Sequence, residues 1–284
     1  VWLIGLGLLL LTILVQIIFN ISYLNLDTIF RLIFFLLSYS LYYFILISLT
    51  ILFSVVFKNN TGALSLTVVV WVLWVIFLPK TIGNTVEKFQ PLPTRIEFQN
   101  QMKNDRSKGL DGHNPSDERQ EALIRETLIK YGVDSLAELP VNFRGILMQA
   151  DEEYGNSVCD KHFGALYATL QIQKNIYQFS GLVNPFASLQ SLSMGTAGTD
   201  MFHHLNFLRQ AEDYRRELIK NLNNKWRDGG WDEVFFQSIK EFKYEVPSFL
   251  TLISKYFLDI LFLCLWPVIL LFVIQFVSKK TTIL

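Results

Sequence analysis

Charged side chains are absent from four long stretches of this 284-residue sequence. No Asp, Glu, Lys or Arg occurs in residues 1–26, 32–57, 59–79 or 260–278, where apolar side chains dominate. A helix of about 20 apolar residues crosses the hydrocarbon core of a bilayer, and lipid offers no hydrogen-bond partners to an open strand. A soluble helical bundle would instead show polar positions at helical spacing. The sequence therefore predicts an integral membrane protein with four membrane-spanning helices.

The motifs of the common enzyme classes are also absent. The sequence has no Gly-x-x-x-x-Gly-Lys-Ser/Thr loop for the phosphates of ATP, so we expect ATP hydrolysis to take place on a different chain. It has no Gly-x-Ser-x-Gly elbow, no His-Glu-x-x-His pair and no Cys-x-x-Cys pair. The two cysteines, Cys159 and Cys264, lie in a polar and an apolar stretch respectively, and we expect no disulfide between them.

The sequence begins with Val1, and no Lys or Arg precedes the first apolar stretch. A signal peptide carries such a basic residue before its apolar region. We therefore expect the chain to be the C-terminal part of a longer protein whose first helices are missing.

Most charged residues lie between Lys80 and Glu245, in the polar segment that separates the third apolar stretch from the fourth. This segment contains 20 Lys and Arg against 23 Asp and Glu, and the resulting net charge of −3 does not suit nucleic-acid binding. Short cytoplasmic loops are enriched in Lys and Arg. Lys58 and the pair Lys279-Lys280 fall on one side of the predicted membrane helices, so we expect that side to be cytoplasmic and residues 80–246 to be extracytoplasmic.

The polar segment shows no alternation of period two, and its start and stop residues predict helices throughout. The first expected elements are a helix from Thr94 to about Lys108, a helix over 117–131 that ends at Gly132, and a turn capped by Ser135 and Glu138. One long helix, or two in line, follows from Asn142. The last two expected elements are a helix over 185–194 and a helix over 200–223 that is capped by Thr199.

One group of residues is a candidate metal site. Asp200, His203 and His204 share a helical face at spacings of three and four, and His162 would join them if the long helix lies alongside. Zinc and copper both accept imidazole together with carboxylate. The spacing is not diagnostic, because histidines and acids on adjacent helices more often form structural hydrogen bonds. We therefore assign no metal and keep these four residues as candidates.

Lys255 and Asp259 precede the last apolar stretch at a spacing of four residues. One interpretation is a charge pair inside the membrane that couples to ions. We favour the other, in which the helix begins near Pro247 and both side chains lie at the level of the lipid headgroups.

Several short strings in the polar segment are distinctive: 111–117, 139–142, 152–156, 162–164, 191–194, 198–200 with His203 and His204, and 212–216. They resemble a family of bacterial ABC-2-type transporter permeases that carry a large extracytoplasmic helical insert of unknown function. The resemblance marks these motif residues, whose roles it does not supply: Asp111, Gly112, His113, Pro115, Asn142, Glu153, Asn156, His162, Thr199, Asp200, His204, Glu212 and Arg215.

The resemblance implies one half of a transporter, with six membrane helices and the insert between the last two. It also implies a second permease subunit, a cytoplasmic ABC ATPase subunit that binds the ATP, and a place in the bacterial inner membrane. A periplasmic partner belongs to the alternative in which the external domain is a binding module. On this interpretation the first two helices are the missing ones.

We therefore predict an all-α integral membrane protein with three membrane helices at about 1–22, 30–57 and 62–79, a helical extracytoplasmic domain at 80–246, a last membrane helix at 247–278 and a cytoplasmic tail at 279–284. The predicted function is that of an exporter permease subunit whose external domain gates or receives cargo. The alternatives are a membrane-anchored module that binds an extracytoplasmic partner, and a membrane enzyme that uses a His/Asp metal site. No cofactor is expected in this chain.

Overall fold

The computed structural model describes residues 2–19, 21, 24–57 and 59–281, and these residues form helices and turns without a β-strand. The α-helices are α1 (Trp2–Phe19), α2 (Leu26–Val56), α3 (Asn60–Val72), α4 (Leu78–Phe89), α5 (Arg95–Lys108), α6 (Ser116–Tyr131), α7 (Phe143–Phe179), α8 (Pro185–Ala197), α9 (Met201–Arg227), α10 (Glu233–Ser238), α11 (Phe249–Lys255) and α12 (Phe257–Thr281). The prediction of an all-α fold is confirmed.

Three helical segments are long and apolar enough to cross a membrane, namely Leu26–Val56, Thr61–Phe89 and Phe257–Lys279. The first apolar stretch forms a shorter apolar helix, Leu3–Phe19, so a fourth crossing stays a prediction. Some predicted features lie outside the described residues: positions 1, 20 and 22 of the first span, Lys58 of the basic turn, and residues 282–284 of the tail.

The helical segment Thr61–Phe89, predicted as the third membrane helix, continues ten residues past the predicted end at residue 79. A π-helical turn, Leu73–Phe77, joins α3 to α4 without interruption, and the N–H of Leu78 donates to the carbonyl of Leu73. A proline ring inside an α-helix clashes with the carbonyl four residues earlier, and the wider π turn directly before Pro79 relieves that clash. Lys80 is therefore helical and does not begin the polar domain.

The chain divides into two compact units. The first comprises Val1–Gln90, Ile172–Asn206 and Val246–Leu284, and the second comprises Pro91–Gln171 and Phe207–Glu245. The sequence predicts residues 172–206 to belong to the polar domain, but α8 is largely buried among the apolar helices of the first unit.

Apolar side chains of α2, α8 and α12 form the core of the first unit, with Ile45, Leu192 and Leu263 almost fully buried. One buried hydrogen bond fixes the start of α8 to the π turn: the side-chain amide of Asn184 donates to the carbonyl of Trp74 at 2.9 Å. A buried amide that is left unpaired is costly, so this bond specifies one position for α8.

Local capping explains most helix ends in the second unit. Thr94 and Glu97 form a capping box at the start of α5, and Gly132 ends α6 with a left-handed φ of 66°. Asn142 accepts from the N–H of Arg144, and α7 then runs as one helix of 37 residues, which decides between one helix and two. These ends follow the sequence prediction.

The start of α9 differs from its prediction. The carboxylate of Asp200 accepts from the N–H of His203 at 3.1 Å, so Asp200 is the cap and Thr199 is not. Aspartate is a strong N-cap because it satisfies an otherwise unpaired N–H and interacts with the helix dipole.

Gly145 allows α7 and the end of α9 to meet at backbone distance. A Cβ atom at this position would lie 2.5 Å from the backbone nitrogen of Arg227, and the N–H of Asn142 donates to the carbonyl of the same arginine at 2.9 Å. Backbone atoms cannot move aside as the end of a side chain can. The absence of a side chain at Gly145 therefore sets the spacing of the two helices.

We expect Gly145→Ala to destabilise the second unit by about 1–3 kcal/mol through overpacking. The matched control is Gly164→Ala on the same helix, where a Cβ meets nothing within 4 Å, and we expect it to be neutral or stabilising by up to about 1 kcal/mol. Thermal unfolding of the detergent-solubilised protein measures both. Equal melting temperatures for the two variants would contradict the close backbone contact.

Candidate functional site

A buried charged cluster surrounds Asp200 in the first unit. The Asp200 Oδ1 atom lies 2.6 Å from Nδ1 of His203, and its Oδ2 atom lies 3.7 Å from Nζ of Lys174. The Tyr256 hydroxyl donates a hydrogen bond to Oδ2. Asp200 is 7% exposed and His203 4% exposed. The cluster thus places a carboxylate, an imidazole, a phenol and an ammonium group together in a site from which water is largely excluded.

Two breaks in helices position these side chains. Gly198 ends α8 in the left-handed conformation, at a φ of 72°, and the chain then turns into α9 at Asp200. Tyr256 is the single residue between α11 and α12, and its ring lies against α8. A Cβ at Gly195 would lie 2.6 Å from that ring, so the glycine makes room for the tyrosine that reaches Asp200.

The fold brings only two of the four candidate metal ligands into contact. Asp200 and His203 are in contact, whereas His204 is exposed to solvent. His162 belongs to the second unit, and its Nε2 atom lies 2.9 Å from a carboxylate oxygen of Asp105. Within the described part of the chain, no three side chains of His, Cys, Asp or Glu are grouped closely enough to hold a metal ion. We therefore do not carry the metal-enzyme alternative further.

A second charged network joins α7 to α9 in the second unit. Glu212 accepts from Nε of Arg215 at 2.7 Å and from Nε of Arg216 at 2.8 Å. Arg215 also donates to Glu152 at 2.5 Å and to Asn156 at 2.6 Å, both on α7. The motif residues Asn156, Glu212 and Arg215 therefore form one inter-helix seam, which we call the arginine seam. The sequence predicts only a solvated, salt-bridged helix face here.

The charges of the seam alter its acid–base behaviour. The hydrogen bond from Arg215, with a further one from Arg216, lowers the pKa of Glu212 to about 2 from its usual 4.5. Glu212 in turn raises the pKa of Arg215. The seam therefore stays fully ionised at any physiological pH.

The 111–117 string builds a turn. The carboxylate of Asp111 accepts from the N–H of His113 at 3.0 Å, Gly112 has a φ of 78°, and the extended backbone of Pro115 begins α6. The carboxylate of Asp111 therefore closes the turn. These motif residues shape the chain between α5 and α6.

Asp105 precedes this turn and joins α5 to α7. Its carboxylate lies 2.7 Å from Nζ of Lys161, in addition to the contact with His162. The hydrogen bond from Lys161, aided by the one from His162, lowers the pKa of Asp105. The motif residue His162 therefore takes part in a structural ion network.

The remaining motif residues have local roles. Asn142 caps α7, Glu153 accepts from the side-chain amide of Gln149 at 2.8 Å, and the N–H of Thr199 donates to the carbonyl of Met194 at 3.0 Å. None of these three contacts by itself forms a binding site.

Sequence reasoning did not find Lys174, Tyr256 or Asp105. A usable signal existed for one of them, since Lys174 is the only charged residue between Lys161 and Asp200. A single ammonium group in so long an uncharged stretch indicates a specific partner. No local pattern marks Tyr256 or Asp105, because their contacts depend on how distant helices pack.

The lowered pKa of Glu212 makes a pH-dependent contribution to stability. A group whose pKa is lower in the folded state stabilises the protein above the unfolded-state value, here about 4.5, and loses that effect as pH falls towards about 2. We expect Glu212→Gln to lower the melting temperature near neutral pH and the difference from wild type to shrink steadily below about pH 4.5. Melting curves over a series of pH values measure this.

The control is Glu217→Gln, an exposed position on the same helix. We expect this variant to follow the wild-type pH profile. A Glu212→Gln profile that runs parallel to wild type at every pH would contradict the role of the seam.

Residues 95–245 match the family described as a domain of unknown function, DUF3526. No curated protein and no solved structure matches the chain. The matched region contains the arginine seam, the 111–117 turn and the Asp200–His203 pair. Because it covers more than half of the 284 residues, the chain belongs to the DUF3526 family.

Proposed function

We propose that the chain is the membrane-spanning permease subunit of an ABC-2-type exporter that works with a separate cytoplasmic ATPase. One observation carries the proposal: the family domain at 95–245 lies between the membrane helices Thr61–Phe89 and Phe257–Lys279. The permeases that the sequence resembles carry their insert between their last two membrane helices. The absence of a phosphate-binding loop from the sequence fits a subunit whose motor is another chain.

The packing of the first unit supports a role in transmitting movement. Helix α8 comes from within the polar segment, yet it packs against both α2 and α12. In the proposed mechanism, closure of the ATPase shifts these membrane helices, and α8 moves with them because its core contacts leave no space for sliding. The inserted domain then gates or receives the cargo.

The charge of Arg31 bears on the proposed orientation. Exposed arginines near a membrane helix favour the cytoplasmic side. Arg31 instead forms an ion pair with Asp27 at 2.6 Å and donates to the carbonyls of Thr196 and Pro247. The charge of Arg31 is neutralised within the protein. Its position near the start of α2 is therefore compatible with an extracytoplasmic inserted domain.

Helix α1 supports a partner within the membrane. Its apolar side chains are mostly exposed, with Leu3 76% exposed and Phe19 82% exposed. In a bilayer such a surface faces lipid or another apolar helix. We propose that a second permease subunit, either a copy of this chain or a related one, completes the transporter on this side.

Association with an ATPase tests the function. We expect the full-length protein, purified in detergent, to retain an ABC ATPase sought among the neighbouring genes and to raise its ATPase rate when both are placed in liposomes. An unrelated ABC ATPase from the same organism is the control and should not be retained. Failure of the neighbouring ATPase to associate or to respond would refute the proposed function.

Cysteine labelling tests the orientation. In a background with Cys159→Ser and Cys264→Ser, single cysteines replace Ile129, which is 81% exposed in the second unit, or Thr61 at the start of the third membrane helix. We expect a membrane-impermeant maleimide to label Ile129→Cys and not Thr61→Cys in intact spheroplasts. Labelling of Thr61→Cys alone would invert the orientation.

A further inference from the structure

Asp259 lies in the first turn of α12 and is fully buried, with 0% of its surface exposed. Its Oδ2 atom accepts from Nε2 of Gln178 at 2.6 Å and from Oγ of Ser191 at 3.0 Å. Its Oδ1 atom has no hydrogen-bond partner among the described residues. Asp259 does not pair with Lys255 among the described contacts, because Nζ of Lys255 lies over the ring of Phe202 at 5.5 Å. The position of both residues at the headgroup level stays a prediction.

The helices around Asp259 offer little compensating positive charge. The ionisable groups nearby are Lys174 on α7 and the Asp200–His203 pair on α9. Helix α11 carries Lys255, whose ammonium group lies over the aromatic ring of Phe202. Helix α8 contains no charged residue, and the charges of α2, Asp27 and Arg31, form an ion pair with each other. Among the described residues, Lys174 is therefore the cation whose charge acts on both Asp200 and Asp259.

One ammonium group cannot neutralise two buried carboxylates. The Lys174 amine lies 3.7 Å from Asp200, and the imidazole of His203 is bound to the same carboxylate at 2.6 Å. A buried ionised carboxylate without its own cation is very costly and normally takes up a proton instead. Two buried carboxylates with one ammonium group therefore require one additional proton. His203 can hold such a proton beside Asp200. Asp259 forms no ion pair among the described residues, and its Oδ1 atom without a partner is the position there that can hold a proton.

A second observation points to the same place. Ser188 precedes Ser191 by three residues on α8, is also fully buried, and its hydroxyl has no partner among the described residues. Side chains three residues apart lie on one face of a helix. Two polar groups without partners thus occur on the facing surfaces of α8 and α12, and a proton on Asp259 would add a hydrogen-bond donor between these helices.

We propose that Asp259 is a proton-binding site. A proton from water forms an O–H bond at Oδ1, the charge of the site rises by one, and no other covalent bond changes. When the proton leaves, Lys174 must serve two carboxylates, and the hydrogen-bond donor between α8 and α12 is lost. The packing of the last membrane helix then depends on the pH of the water that reaches it, whatever the protein transports.

Infrared difference spectroscopy tests this proposal on the intact protein in lipid nanodiscs. We expect a carbonyl-stretch band of a protonated carboxyl group that changes between pH steps in wild type and is lost in Asp259→Asn. Asp213→Asn, an exposed position on α9, is the control and should keep the band. Identical spectra for wild type and Asp259→Asn would overturn the proposal.

A second variant keeps the test decisive if Asp259→Asn does not fold. Lys174→Gln removes the shared cation and leaves Asp259 in place. A nearby positive charge favours the ionised carboxylate, so we expect its loss to move the midpoint of the band's titration to higher pH by about one unit or more. A midpoint that does not move would show that Lys174 and Asp259 are uncoupled and would overturn the charge argument.

Discussion

A bilayer provides no hydrogen-bond partners and almost no means of stabilising charge, and the three helices of the first unit that are long and apolar enough to cross a membrane meet this constraint. Its membrane helices carry nearly all of their charge at their ends. Asp27 and Arg31 at the start of α2 neutralise each other, and Arg31 also donates to two backbone carbonyls. Asp259 shares the positive charge of Lys174 with Asp200. The polar groups inside this unit are therefore paired within the protein, as the buried hydrogen bond from Asn184 to the carbonyl of Trp74 shows.

The second unit is stabilised in a different way. Its helices α7 and α9 meet through the arginine seam and through the backbone contact at Gly145. Exposed ion pairs contribute little one at a time, but a network that shares Glu212 between two arginines fixes the geometry of both helices. The seam specifies which residues face each other, whereas the glycine specifies how closely the helices approach. The seam accounts for three motif residues on these two helices, Asn156, Glu212 and Arg215.

The sequence predicts the features of this fold that depend on local chemistry. The helix at Thr94, the stop at Gly132 and the cap at Asn142 each follow from a few neighbouring residues. The continuation through Pro79 does not, because it depends on a π turn that no simple pattern marks. The site is predicted only in part: Asp200 and His203 are found as a pair. Their partners, which come from other helices, follow from tertiary packing.

The π turn in the segment Thr61–Phe89 changes the direction in which side chains point before and after it. A π turn holds one extra residue, and one residue corresponds to a rotation of roughly 100° about the helix axis. Side chains beyond Leu73–Phe77 are therefore out of phase with those before it. In accord with this offset, α3 packs against α2, whereas the π turn packs against α8. A single uninterrupted helical segment thus contacts two neighbours through two differently directed faces.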